Sequence, residues 1–150
     1  MRALQIQNGD LVLGTNGYAE VTGIDKISQD LKIAVLTPFG SDRFHPNWGC
    51  TLESKIGTPQ SALTSQVIAS EITRVVGVLM SQQQSQLQTA QNNGYVSPYG
   101  NADLISAISS LSVVPSYDTV TVNCSISTAA NQTATLTASV SPAGVVGTVA

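Results

Sequence analysis

Between Thr119 and Val140 the chain keeps a strict period of two. In TVTVNCSI, Val120, Val122, Cys124 and Ile126 fall on one side, and Thr119, Thr121, Asn123 and Ser125 on the other. TATLTASV repeats the alternation with Ala134, Leu136, Ala138 and Val140. Only an extended strand puts every second residue on one face. Two such runs separated by STAANQ predict an antiparallel hairpin with one apolar and one hydroxyl-rich face. The rest of the chain must cover the apolar one.

Charge adds a second constraint. Only 10% of the 150 residues are charged, against about 25% in an ordinary globular chain. After Arg74, Asp103 and Asp118 alone carry charge. The apolar share, 42%, is ordinary, so one domain over residues 1–150 is expected to close around a core. A free monomer normally keeps a charged surface, and isolated strand edges are normally blunted with charge. The uncharged half is therefore expected to be covered by other protein. Val120, Val122, Ile126, Leu136 and Val140 would mark the strands that pair with neighbours. Residues 141–150, SPAGVVGTVA, read as a tail or as a strand-exchange segment that pairs only with a neighbour.

Other partner classes find no footing. A net charge of −3 without a basic cluster offers no grip on phosphates, so no direct nucleic-acid contact is expected. No apolar run approaches the ~20 residues of a membrane span. The N-terminus, MRALQIQNGD, lacks a signal-peptide core. Cys50 and Cys124 show no Cys-x-x-Cys spacing, which suggests two free thiols in a reduced compartment.

Asn8-Gly9 is a strong hairpin signal, because both turn positions favour positive φ. A turn there pairs Ile6 with Leu11 and Leu4 with Leu13, placing all four on one core-facing side. A turn at Thr15-Asn16-Gly17 leads to a third strand around Tyr18 to Thr22. Ile24, Ile27, Leu31 and Val35 follow helical spacing, which predicts a helix from Asp25, its cap, to Leu36, stopped by Thr37-Pro38. Thr58 and Pro59 would open a second helix whose stripe is Ile68, Ile72, Val75 and Leu79, widened by Val67 and Val78. Its Gln-rich continuation, Ser81 to Gln91, has only Leu87 to bury and needs a partner helix or projects into solvent. Asn101 would cap a short third helix aligning Leu104, Ile108 and Leu111. The predicted class is α+β: an N-terminal β-hairpin, two to three helices and a C-terminal antiparallel hairpin forming a small sheet. No segment repeats internally.

The densest cluster of special residues is LTPFGSDRFHPNWGC, Leu36 to Cys50. Asp42, His45 and Cys50 are three potential metal ligands, but they lack the paired short spacings of zinc sites. No Gly-x-Ser-x-Gly elbow accompanies the single histidine. Asp42 and Glu53 are the only carboxylates placed for a glycosidase pair. A rigid connector has better support. Pro38 and Pro46 fix φ, Gly40 and Gly49 allow reversal, Phe44 and Trp48 offer large flat side chains, and Arg43 supplies a fork of donors. Such a loop has little entropy left to lose on docking.

This stretch resembles the baseplate wedge, or tail-sheath initiator, family of contractile phage tails, also called the GPW family and given a lysozyme-like label in older usage. The matching positions are Thr37, Pro38, Gly40, Phe44, Pro46, Trp48, Gly49 and Leu52; Gly9-Asp10, Thr22-Gly23 and Gln29-Asp30-Leu31 look similar to the same group. Many members carry Glu-Pro-Arg between the last helix and the first C-terminal strand, whereas here the junction reads VVPSYD. The resemblance implies a non-enzymatic virion component, made in the host cytoplasm and present in multiple copies in the tail baseplate. Its implied partners are the tail sheath protein, other baseplate wedge proteins, and tail tube or hub proteins. It implies no cofactor, no metal and no catalytic residue. The alternatives are a cell-wall glycoside hydrolase using Glu53 and Asp42, and a baseplate subunit of a non-contractile tail.

Overall fold

The computed structural model describes residues 2–7, 9–15, 17–55 and 62–149. The fold is α+β, and its centre is the antiparallel sheet that the alternating sequence demands. Four strands, β7 (Ile105–Ser116), β8 (Thr119–Thr128), β9 (Thr133–Ser141) and β10 (Gly144–Val149), lie in the order β10-β9-β8-β7. Val120, Val122, Cys124 and Ile126 of β8 and Ala134, Leu136, Ala138 and Val140 of β9 are buried on one face. Two helices cover them, α1 (Gly23–Leu36) packing on β9 and β10, and α2 (Ala62–Asn92) on β7 and β8. Ile27, Leu31, Ala34 and Val35 point inward from α1, and Ile68, Ile72, Val75, Val76 and Leu79 from α2. Burying each large aliphatic side chain contributes roughly 1.5–3 kcal/mol. The opposite sheet face carries hydroxyls joined across strands, Thr137 Oγ1 to Asn123 Oδ1 at 2.9 Å and Ser125 Oγ to Thr135 Oγ1 at 3.1 Å.

The hairpin is thus flanked on both sides by its own chain. The terminal segment, expected as a tail or as a strand for a neighbour, pairs as β10 with β9, Val145 opposite Val140. Val120, Val122, Ile126, Leu136 and Val140 stand in the two central strands with their side chains in the core, so they do not mark an edge. β7 and β10 are the edges.

The third helix is a correction. Residues Asn101–Asp103 make one 3₁₀ turn, and Ile108 and Leu111 lie in β7. Bulges between Ile105 and Ala107 and between Ile108 and Ser110 each insert a residue, so Ile105, Ile108 and Leu111 sit opposite Thr128, Ile126 and Cys124. Two bulges turn a spacing of two into a spacing of three, which imitates a helix. The expected VVPSYD junction also falls elsewhere, in the end of β7 and the turn after it.

The glutamine-rich continuation is helical to Asn92 and neither projects freely nor needs another helix. Residues 99–105 of the same chain cover it. Gln83 is buried; its Nε2 donates to the Asp103 carbonyl at 2.9 Å, and its Oε1 accepts from the Ile105 amide at 3.0 Å. Tyr99 donates its hydroxyl proton to Gln86. Helix α1 begins two residues before its predicted cap, with Thr22 at the N-cap and no side-chain cap bond there. The Gly23 amide instead donates to Asp103 Oδ1 at 2.7 Å, and the Gly100 amide to Oδ2 at 3.0 Å. Burial pushes the Asp103 carboxyl up and these two amides act the other way; the net shift is downward. The expected start of α2 at Thr58 and Pro59 lies outside the described residues, as do Asn8 and Asn16 of the two N-terminal turns.

The N-terminal strands do not form a flat meander. β1 (Ala3–Leu4) pairs with β6 (Glu20–Val21), β2 (Ile6–Gln7) with β3 (Asp10–Leu11), and β4 (Leu13–Gly14) with β5 (Gly17–Tyr18). Ile6 pairs with Leu11 as expected, but Leu4 opposes Glu20 and Leu13 opposes Tyr18. Three backbone bonds explain the break. Gln5 N–H donates to Ala19 O, Val12 N–H to Gln5 O, and Ala19 N–H to Val12 O, at 2.8–3.0 Å. Three short arms radiate from this ring, whose members are spaced by seven residues, a repeat the side chains do not advertise. Leu4, Ile6, Leu11 and Leu13 remain 40% to 77% exposed and are divided among the three arms, so they form no single core-facing side.

Candidate functional site

Helix α1 ends where Thr37 N–H and Oγ1 both donate to the Ile33 carbonyl, at 2.9 and 2.6 Å. From there the chain makes a closed loop whose two ends are zipped together. Cys50 N–H donates to Thr37 O (2.8 Å), Phe39 N–H to Cys50 O (3.0 Å) and Gly40 N–H to Trp48 O (3.0 Å). The close approach requires glycine at position 49. Its φ is +95°, and a Cβ would stand 2.6 Å from the Pro38 carbonyl oxygen.

A clamp from α2 fixes this loop from below. Arg74 donates from Nη2 to the Gly49 carbonyl at 2.7 Å and from Nη1 to the Asn47 carbonyl at 3.3 Å. The same guanidinium forks onto Glu71, Nε to Oε2 and Nη2 to Oε1, both 2.8 Å, and lies 4.8 Å from the centre of the Phe39 ring. Glu71 Oε1 also accepts the Thr51 amide at 2.8 Å. The bond from Arg74 brings the Glu71 carboxyl down to about 2, with burial opposing and the Thr51 amide assisting. Arg74 in turn is raised, first by its bond to Glu71. The donor fork expected of Arg43 belongs instead to Arg74: Arg43 is exposed and makes no ion pair among the described residues. The Glu-x-x-Arg spacing on α2 was the visible signal for the true pair.

At the outer end Asp42 organises the turn. Its Oδ1 accepts the Phe44 amide at 2.8 Å and its Oδ2 meets His45 Nδ1 at 2.7 Å. The His45 bond, then the Phe44 amide, lowers the Asp42 carboxyl. Trp48 is half-buried against the core and Leu52 fully buried, whereas Phe44 is 86% exposed and Arg43 and Pro46 are exposed beside it. The predicted motif therefore splits: Thr37, Pro38, Gly40, Gly49, Trp48 and Leu52 build the loop, and Arg43, Phe44 and Pro46 form its outer tip.

The chemical alternatives find little geometry. Cys50 is buried in the core, its thiol pushed up to about 11 chiefly by burial, while Asp42 and His45 pair at the surface. No cluster of three His, Cys, Asp or Glu suited to a metal occurs among the described residues. Asp42 and Glu53 line different cavities, the first with His45 and Trp48, the second with Pro38 and Cys50. No helix of the described residues is long and apolar enough to cross a membrane.

Besides the loop, β7 presents a surface with a defined chemistry. It is a twelve-residue edge strand without a charged residue, and most of its length is exposed. No protein-family model matches the chain, and no curated protein matches it.

Proposed function

We propose that the chain is a non-enzymatic structural subunit of a phage-tail baseplate wedge, docking around the tail tube and initiating sheath assembly by strand pairing. The β7 edge carries this reading. Its outward backbone groups are offered along an uncharged strand, and an extended segment of a sheath subunit would satisfy them by β-augmentation. Charge, one guard against such pairing, is missing from residues 105 to 116; the two bulges and Pro115 interrupt the edge on either side and leave residues 111 to 114 as the stretch open to a partner strand.

The motif loop supports the same reading. Held at both ends and clamped by Arg74, it presents Phe44 on a stiff support, which limits the entropy lost when a wedge, tube or hub protein docks. Its resemblance to the wedge family supplies the identity of those partners and the location in the virion. The glycosidase alternative is not favoured by two carboxylates in separate cavities.

Electron microscopy of particles lacking this protein tests the proposal. Tubes without sheath are the expected product, and normal contractile tails would overturn it. If wild-type particles carry no sheath at all, the subunit belongs to a non-contractile baseplate.

A further inference from the structure

Tyr117 and Asp118 form the two-residue turn between β7 and β8, with Ser116 opposite Thr119. Tyr117 is 99% exposed and takes a φ of +51°. Glycine normally fills a first turn position of this kind, and strain retained at such a site points to a use for the side chain. Asp118 is exposed beside it and accepts a bond from Thr119 Oγ1 at 3.3 Å. The tip thus offers an aromatic ring and a carboxylate.

A complementary surface lies against α1. A cavity of about 220 Å³ opens between the second N-terminal arm and that helix, lined mainly by Ile6, Gln29, Lys32, Ile33 and Leu36. Its walls are largely aliphatic. Lys32 is the one charged residue lining it and forms no ion pair among the described residues. Leu11, half-exposed, pairs with Ile6 on that arm.

We propose that the Tyr117–Asp118 tip of one copy docks into the α1 groove of a second copy, the ring filling the aliphatic cavity and the carboxylate pairing with Lys32. The occupant follows from complementarity: the tip's one carboxylate meets the groove's one lysine, and an aromatic anchor of the type that dominates interfaces meets an apolar cavity. The tip projects from the end of the β7–β8 hairpin, whereas α1 packs over β9 and β10. Two different patches meet, so the contact is heterologous and its repetition builds a ring or an open array. It uses the turn, not the strand edge, and stands independently of sheath initiation.

Sedimentation and light scattering of the purified full chain across a concentration series test it. The wild-type mass is expected to rise with concentration. Tyr117→Gly relieves the turn, so its melting temperature stays at or above wild type while association weakens by about tenfold or more. Lys32→Glu and Asp118→Lys each weaken association, and the double variant restores it. A wild-type chain monomeric up to about 1 mM, a Tyr117→Gly variant that associates like wild type, or a double variant without recovery would each overturn the proposal.

Discussion

The carbonyl oxygen of Gly49 lies 2.7 Å from Nη2 of Arg74, twenty-five residues further along the chain. The acceptor belongs to a residue that must be glycine for the loop to close against Pro38; the donor is a guanidinium already oriented by Glu71. Loop shape and helix surface are therefore one unit.

Replacing Arg74 with lysine keeps the charge but removes the fork that reaches Glu71, Gly49 and Asn47 together. Arg74→Lys is expected to lower stability by about 2 kcal/mol. Urea denaturation followed by Trp48 fluorescence reads the loss directly.

Glu71 gives that pair a pH signature. Its folded value, about 2, lies below the ordinary 4.5, so its contribution is complete above 4.5 and disappears as pH falls towards 2. Glu71→Gln removes the titration. The stability gap between wild type and variant should therefore shrink as urea midpoints are measured from about pH 6 to about pH 3; a gap independent of pH would refute the assignment.

Gly49→Ala combines a φ of +95° with a Cβ 2.6 Å from a carbonyl oxygen. A loss of about 3 kcal/mol is expected. Gly77→Ala, on an exposed helical site where a Cβ meets nothing within 4 Å, should gain up to about 1 kcal/mol. Thermal melts of the two variants should move in opposite directions.

Gln83 joins α2 to the start of β7 through the Asp103 carbonyl and the Ile105 amide. Gln83→Leu fills similar space yet removes both of these buried bonds, at a cost of about 2 kcal/mol. Hydrogen exchange should accelerate at Ile105 before it changes at Val122.

Ser112 and Val114 are exposed on β7. Lysine at both positions should leave stability within about 0.5 kcal/mol; under the proposed baseplate role it blocks strand addition, and the folded protein is then expected not to enter tails. Normal incorporation would remove β7 from the docking surface.

The sheet was readable where burial falls on a strict period, as in β8 and β9, and unreadable where bulges shift it, as at Ile105, Ile108 and Leu111. The helices followed from their stripes, but the first turn of α1 depends on Asp103, eighty residues away, and no local pattern encodes that bond. In the candidate site, Pro38, Gly40 and Gly49 announced a rigid loop. The residue that locks it, Arg74, lay in a helix with its own sufficient explanation. Tyr117 looked ordinary in sequence because its strain is a property of the folded turn alone.

The ring of Gln5, Val12 and Ala19 makes the N-terminal module tolerant of growth. Each carbonyl and amide in that ring is spoken for near its centre, so the two arms closed by turns can lengthen at their free ends, by whole residue pairs, without disturbing the hub. Reach towards a neighbour and integrity of the hub are governed by separate stretches of sequence, leaving evolution free to retune the first while conserving the second.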